Sequence, residues 1–289
     1  MTATTRIEKT LKSSLESAES NGCPPLLAAA LNHAVFPGGA RIRPRLCLAV
    51  AHANGEDDAA LTDAAASAIE LLHCASLVHD DLPCFDNAAM RRGKPSVHRA
   101  HGERLAVLAG DALIVMAFQL LAEAAASSPH RLASLLQIIG RSVGAGAGIV
   151  AGQAWECESR VSLSQYQRSK TGALFAAATM TGAAAAGCRQ PEVWRALGEG
   201  LGEAYQVADD ILDMAGNPLE IGKPVGRDAA LGRPNAMREL GMSGAIQRLG
   251  NLVSGAIASI PDCPGAAGLR AIIVMESQGL LPKELHAAA

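Results

Sequence analysis

A chain of 289 residues with 49% hydrophobic and 18% charged side chains has enough apolar material to bury one large core or two ordinary ones, which excludes a disordered or fibrous chain. The formal net charge of −3, with no basic stripe, excludes a surface built for nucleic acid, because binding the phosphate backbone leaves a cationic excess. Seven cysteines, without a CxxC pair or a Cys/His ligand spacing, point to buried reduced thiols in a cytoplasmic protein, not to a disulfide framework or a zinc site.

Aromatic residues make up only 3% of the chain, while Ala, Leu, Glu and Arg recur at spacings of three and four. That pattern predicts an all-α fold. Helices are expected over residues 5–19, 25–34, 41–54, 58–81, 104–125, 129–143, 163–185, 191–214, 242–259 and 264–279, punctuated by PGG, NG, SSP and NP. No repeat period and no Ser/Pro-rich linker divides them, so residues 1–289 are expected to form a single domain.

The first segment, MTATTRIEKTLKSSLESAES, is polar and amphipathic and lacks the apolar stretch of a signal peptide. Next comes GGARIRP, which carries Arg41 and Arg43. The helix AIELLHCASLVHDD then places His73, Ser76, Leu77, Asp80 and Asp81 on one broad face, at about 100° per residue. Pro83 disturbs the helix just beyond and lets Asp86 fold back towards Asp80; Arg91 and Arg92 follow in RRGKPSVH.

The run ALIVMAFQLLAEAAA is bounded by Asp111 and interrupted by Gln119 and Glu123, which predicts a buried core helix and not a membrane span. GAGAGIVAG, residues 144–152, follows a helical pattern and lacks a Lys-Ser/Thr ending, so it reads as close helix packing and not a phosphate loop. Downstream lie SKTGALF with Lys170, then YQVADDILD, then GKPVGRD with Lys223 and Arg227. In YQVADDILD, Gln206, Asp209, Asp210 and Asp213 fall at i, i+3, i+4 and i+7, one continuous helix face.

Six carboxylates in two clusters are hard to explain as packing, because buried acids need partners and like charges repel. Solvated helix ends are the alternative; the core-like Val207, Ala208, Ile211 and Leu212 weigh against it for the second cluster. A site for a hard cation, Mg²⁺ foremost, accounts for both, and the scattered Arg and Lys side chains suit diphosphates bridged by the metal.

In five ordered motifs, GGARIRP, DDLPCFD followed by RRGKPSVH, KTGALF, YQVADDILD and GKPVGRD, which span residues 38 to 228, the chain resembles the trans-isoprenyl diphosphate synthase family. Within it the chain is most similar to bacterial members of carotenoid and bacteriochlorophyll pathways that make geranylgeranyl diphosphate. The resemblance implies a helical bundle around a deep cavity, a homodimer, and head-to-tail condensation of isopentenyl diphosphate onto dimethylallyl, geranyl or farnesyl diphosphate. It implies that Asp80, Asp81 and Asp86, with Asp209, Asp210 and Asp213 across the cavity, hold Mg²⁺, though not every one as a direct ligand. Arg91, Lys170 and Lys223 match contacts to the allylic diphosphate; Arg43, His73 and Arg92 match the isopentenyl diphosphate site; Thr171 and Gln206 match residues near the reacting carbons. Ionisation of the allylic C–O bond, attack by isopentenyl diphosphate and proton loss, with the released diphosphate as base, complete the implied chemistry.

Two departures stand out. Many members carry Lys where this chain has Ala40, so one diphosphate contact is missing, with Arg41 the candidate to compensate, and Asn87, Ala88 and Ala89 replace further acids. Ala75 and Ser76, about one helical turn deeper than Asp80, are small and leave room for a long prenyl tail. A farnesyl diphosphate synthase, a terpene cyclase and a non-catalytic regulatory subunit of a prenyl synthase are the competing readings. The second aspartate set and the RRG motif disfavour the cyclase.

Overall fold

The computed structural model describes residues 1–158, 172–215 and 236–280. Twelve α-helices follow one another among the described residues: α1 (Ala3–Ser20), α2 (Pro25–Val35), α3 (Ile42–Ala53), α4 (Ala59–Asp80), α5 (Val97–His101), α6 (Glu103–Ala124), α7 (Pro129–Val143), α8 (Ile149–Ala154), α9 (Ala173–Ala185), α10 (Arg195–Ala215), α11 (Ala236–Ala258) and α12 (Ala266–Gln278). The strands described are β1 (Met90–Arg91) and β2 (Lys94–Pro95), an antiparallel pair with Arg91 opposite Lys94. The fold is all-α, as the spacing of apolar residues predicts.

Contacts divide the described residues between two compact units. One comprises Met1–His52, Glu56–Ile139 and Thr181–Arg189; the other comprises Ala53–Gly55, Gly140–Met180 and Gln190–Ala289.

In the first unit, α1 begins at Thr2, whose hydroxyl accepts from the Thr5 amide at 3.2 Å, and it buries Ile7, Leu11 and Leu15 at four-residue spacing. Each such side chain contributes about 1.5–3 kcal/mol by leaving water. Helix α4 begins at Asp58, whose carboxylate accepts from the Leu61 amide at 3.0 Å, a cap worth about 1 kcal/mol. From Leu61 to Val78 it is buried on nearly every side, and the alanines at 64, 65, 66 and 68 let neighbouring helices come close.

Helix α6 packs on α4 and departs from the expected core helix. It buries one stripe, Ala106, Ala109, Gly110, Leu113, Ala117 and Leu121, while Leu108 and Val115 remain 52% and 54% exposed. With the turn Ala125–Ser127 it is long and apolar enough to cross a membrane, as is α4, whose apolar window is mostly buried. The apolar run therefore has two faces, and only one meets this chain's core.

In the second unit, α10 and α11 pack through Ala204, Val207, Ala208 and Ile211 against Ala245 and Leu249. Helix α11 is kinked at Gly241, where φ is +69°, a conformation that costs glycine little. That kink explains why the periodicity locates only the part of this helix beyond residue 241. Residues 144–148 turn the chain from α7 into α8, and a Cβ on Gly148 would meet the Ser142 and Val143 backbone at 2.5–2.6 Å. The close packing expected there is thus against the chain's own preceding turn.

Candidate active site

In the first unit, Arg41 adopts a left-handed backbone (φ +51°) and turns its guanidinium inward, leaving the residue 3% exposed. Its Nε donates to Glu8 Oε1 at 2.8 Å, Nη1 to Glu70 Oε1 at 2.5 Å and Nη2 to the Val35 carbonyl at 2.9 Å. A Cβ on Gly38 would lie 2.2 Å from the Arg41 guanidinium carbon, so only glycine leaves space for it. Compensation for Ala40 by Arg41 is therefore not what the fold provides: the side chain is committed to two carboxylates and a carbonyl. Removing one partner of such a buried pair costs about 3–5 kcal/mol, because a charge is left uncompensated.

Arg43, two residues further on, reaches His73, with Nη1 3.4 Å from Nε2. Burial pushes the His73 pKa well below its ordinary value, and the surrounding Arg43, Arg92, Arg91 and Arg41 push it the same way. The imidazole is therefore neutral at neutral pH. Arg92 (φ +53°) lies over Gly39, where a Cβ would come within 3.0–3.2 Å of its guanidinium, and its Nη2 is 3.8 Å from Glu70 Oε1. Arg43, His73 and Arg92 are thus gathered in one cationic cluster. Glu70 is the residue that the motifs do not flag. Its signal is an acid flanked by Ile69, Leu71 and Leu72, since an acid on a core face implies a cationic partner.

At the end of α4 the chain folds back, the Asp86 amide donating to the Asp80 carbonyl at 2.9 Å and the Ala88 amide to that of Asp81 at 3.1 Å. This is the reversal expected after Pro83. Asp80 and Asp86 stay half-buried, whereas Asp81 is 2% exposed and accepts from Arg91 Nε at 3.1 Å and Nη2 at 2.5 Å. Burial raises the Asp81 pKa, and the Arg91 bond opposes that shift. The hairpin carrying Arg91 and Arg92 is tied down by Ser96, whose hydroxyl donates to Ala88 O at 2.6 Å, and by Lys94, whose ammonium donates to the carbonyls of His33 and Phe36.

In the second unit, Asp210 is 3% exposed; it accepts from Gln206 Nε2 at 3.1 Å and from the Ala236 amide at 2.8 Å, capping α11. Asp209 is half-buried and Asp213 is 6% exposed. Phe175 is buried against Tyr205, ring centroids 5.5 Å apart, as a core residue. Lys170, Thr171, Lys223 and Arg227 lie outside the described residues.

The two acidic sets share a pattern: the second aspartate of each DD pair is buried and already bonded, to Arg91 or to a helix start. Among the described residues, no three His, Cys, Asp or Glu side chains converge tightly enough to hold an ion alone. Oxygen donors of this kind fit Mg²⁺, which takes one or two carboxylates and fills its shell with water and phosphate oxygens.

Residues 24–254 match the family model for polyprenyl synthetase. A geranylgeranyl diphosphate synthase of Cereibacter sphaeroides is 52% identical over 282 residues, 98% of either chain. Among solved structures, an FPP/GFPP synthase from Zymomonas mobilis superposes with a TM-score of 0.79 at 30% identity, covering 96% of this chain and 99% of that one. A geranyltransferase from Helicobacter pylori, complexed with magnesium and isoprenyl diphosphate, gives 0.76 at 29% identity, covering 95% and 98%. The chain belongs to the polyprenyl synthetase family.

Proposed function

We propose that the chain is a trans-prenyltransferase that condenses isopentenyl diphosphate with dimethylallyl, geranyl and farnesyl diphosphates to make geranylgeranyl diphosphate, of the kind that feeds carotenoid synthesis. The observation that carries this reading is the cluster of Arg43, neutral His73 and Arg92, a cationic seat for a diphosphate, in the same unit as the half-buried Asp80 and Asp86. The 52% identity to a geranylgeranyl diphosphate synthase supports the product.

In this reading Asp80, Asp86, Asp209 and Asp213 hold Mg²⁺, with Asp81 and Asp210 positioning their neighbours. When bound, the ion neutralises charge on the leaving diphosphate. Arg91, set by Asp81, presents guanidinium donors to the allylic diphosphate, and Lys170 and Lys223 serve the same group. Arg43 and Arg92 bind isopentenyl diphosphate, and His73 adds a neutral hydrogen bond without a further positive charge. Thr171 and Gln206 lie beside the reacting carbons, and Ser76, with Ala75 buried behind it, sets the prenyl length. The chain acts as one prenyl synthase domain, in the cytoplasm, as a homodimer whose second copy covers the exposed face of α6.

Incorporation of labelled isopentenyl diphosphate into an allylic partner tests the reading. Chelation of divalent metal is expected to abolish it and added Mg²⁺ to restore it. Incorporation that survives chelation contradicts the assignment, and a folded protein inert with Mg²⁺ favours the regulatory-subunit reading.

A further inference from the structure

Arg41 faces two carboxylates, Glu8 and Glu70, and one guanidinium does not balance both. Glu70 is 2% exposed, so its charge needs more than Arg41 beside it. The second cation within reach is Arg92, at 3.8 Å, too long for a hydrogen bond and close enough for a strong Coulomb attraction in a buried setting. The Cys74 thiol, 3.9 Å from the same oxygen, supplies only a weak donor. Arg92 also meets Gly39. The guanidinium thus has the Glu70 carboxylate, the Cys74 thiol and the bare Gly39 backbone beside it.

Resting on the assignment of Arg43, His73 and Arg92 to isopentenyl diphosphate, we infer that Glu70 is a positioning residue for that substrate. It fixes Arg92 in the cluster by charge, while its short bond to Arg41 anchors the carboxylate itself to α1 and the GGARIRP turn. The allylic diphosphate, assigned to Arg91 and the metal-holding aspartates, does not depend on it.

Steady-state kinetics of the full-length Mg²⁺-loaded protein separate the two substrates. Glu70→Gln is expected to raise the KM for isopentenyl diphosphate about tenfold, with the KM for farnesyl diphosphate changed by less than about twofold. Glu8→Gln removes the other acid on Arg41 without touching Arg92, and is expected to lower the melting temperature with both KM values unchanged. Gly39→Ala, whose Cβ would come within 3.0–3.2 Å of the Arg92 guanidinium, is expected to reproduce the Glu70→Gln pattern and serves as the readout if Glu70→Gln does not fold. An unchanged isopentenyl diphosphate KM in an active Glu70→Gln or Gly39→Ala protein overturns the inference, as does an equal rise in Glu8→Gln. A wild-type chain that condenses nothing overturns instead the site assignment on which the inference rests.

Discussion

His73 shows how far an environment decides what a residue type does. On an apolar helix face a lone histidine is an ordinary core residue; half-buried with four arginines nearby it is a neutral hydrogen-bonding group. Its folded pKa lies below the usual 6.5, so above that pH neither the folded nor the unfolded chain takes up a proton there. As pH falls below it, the unfolded chain is protonated and the fold is not, and stability is lost. The expected result is that His73→Gln flattens the fall of melting temperature as pH drops from 6.5 towards 5. Parallel curves for the two proteins would show that the imidazole is charged in the fold.

At the scale of elements, Ala75 and Ser76 separate. Ala75 is 1% exposed inside the first unit, whereas Ser76 is half-buried and its hydroxyl donates to the His73 carbonyl at 2.8 Å. A large side chain at 75 overpacks the core and costs about 1–3 kcal/mol, while one at 76 has space on its open side. Ser76→Phe is therefore expected to shift the product from geranylgeranyl to farnesyl diphosphate, and Ala75→Tyr chiefly to lower the melting temperature. Product chromatography of Ser76→Phe with an unchanged chain length would remove Ser76 from the length-setting role. The helices were legible because Leu and Ala repeat at the helical period, and the return of Asp86 was legible from Pro83. The inward turn of Arg41 was not, because it depends on Glu8 and Glu70, remote in sequence, and on the space that Gly38 leaves. The hairpin was not legible either: strands of two residues have no period, and Ser96 and Lys94 fix them through bonds to backbone carbonyls.

At the scale of the whole molecule, the exposed apolar face of α6 is the feature a lone chain does not explain. With Leu108 and Val115 more than half exposed, a second copy is the occupant expected. Leu108→Glu with Val115→Glu is expected to convert a dimer to a monomer by light scattering, and a wild-type monomer would contradict that. The family's chemistry rests on a wider argument, because the Arg43, His73 and Arg92 cluster and the half-buried aspartates are needed together. The most direct measurement is the chain length made by the purified protein from isopentenyl and farnesyl diphosphates with Mg²⁺. Accumulation of geranylgeranyl diphosphate is the predicted result; recovery of farnesyl diphosphate unextended would contradict it.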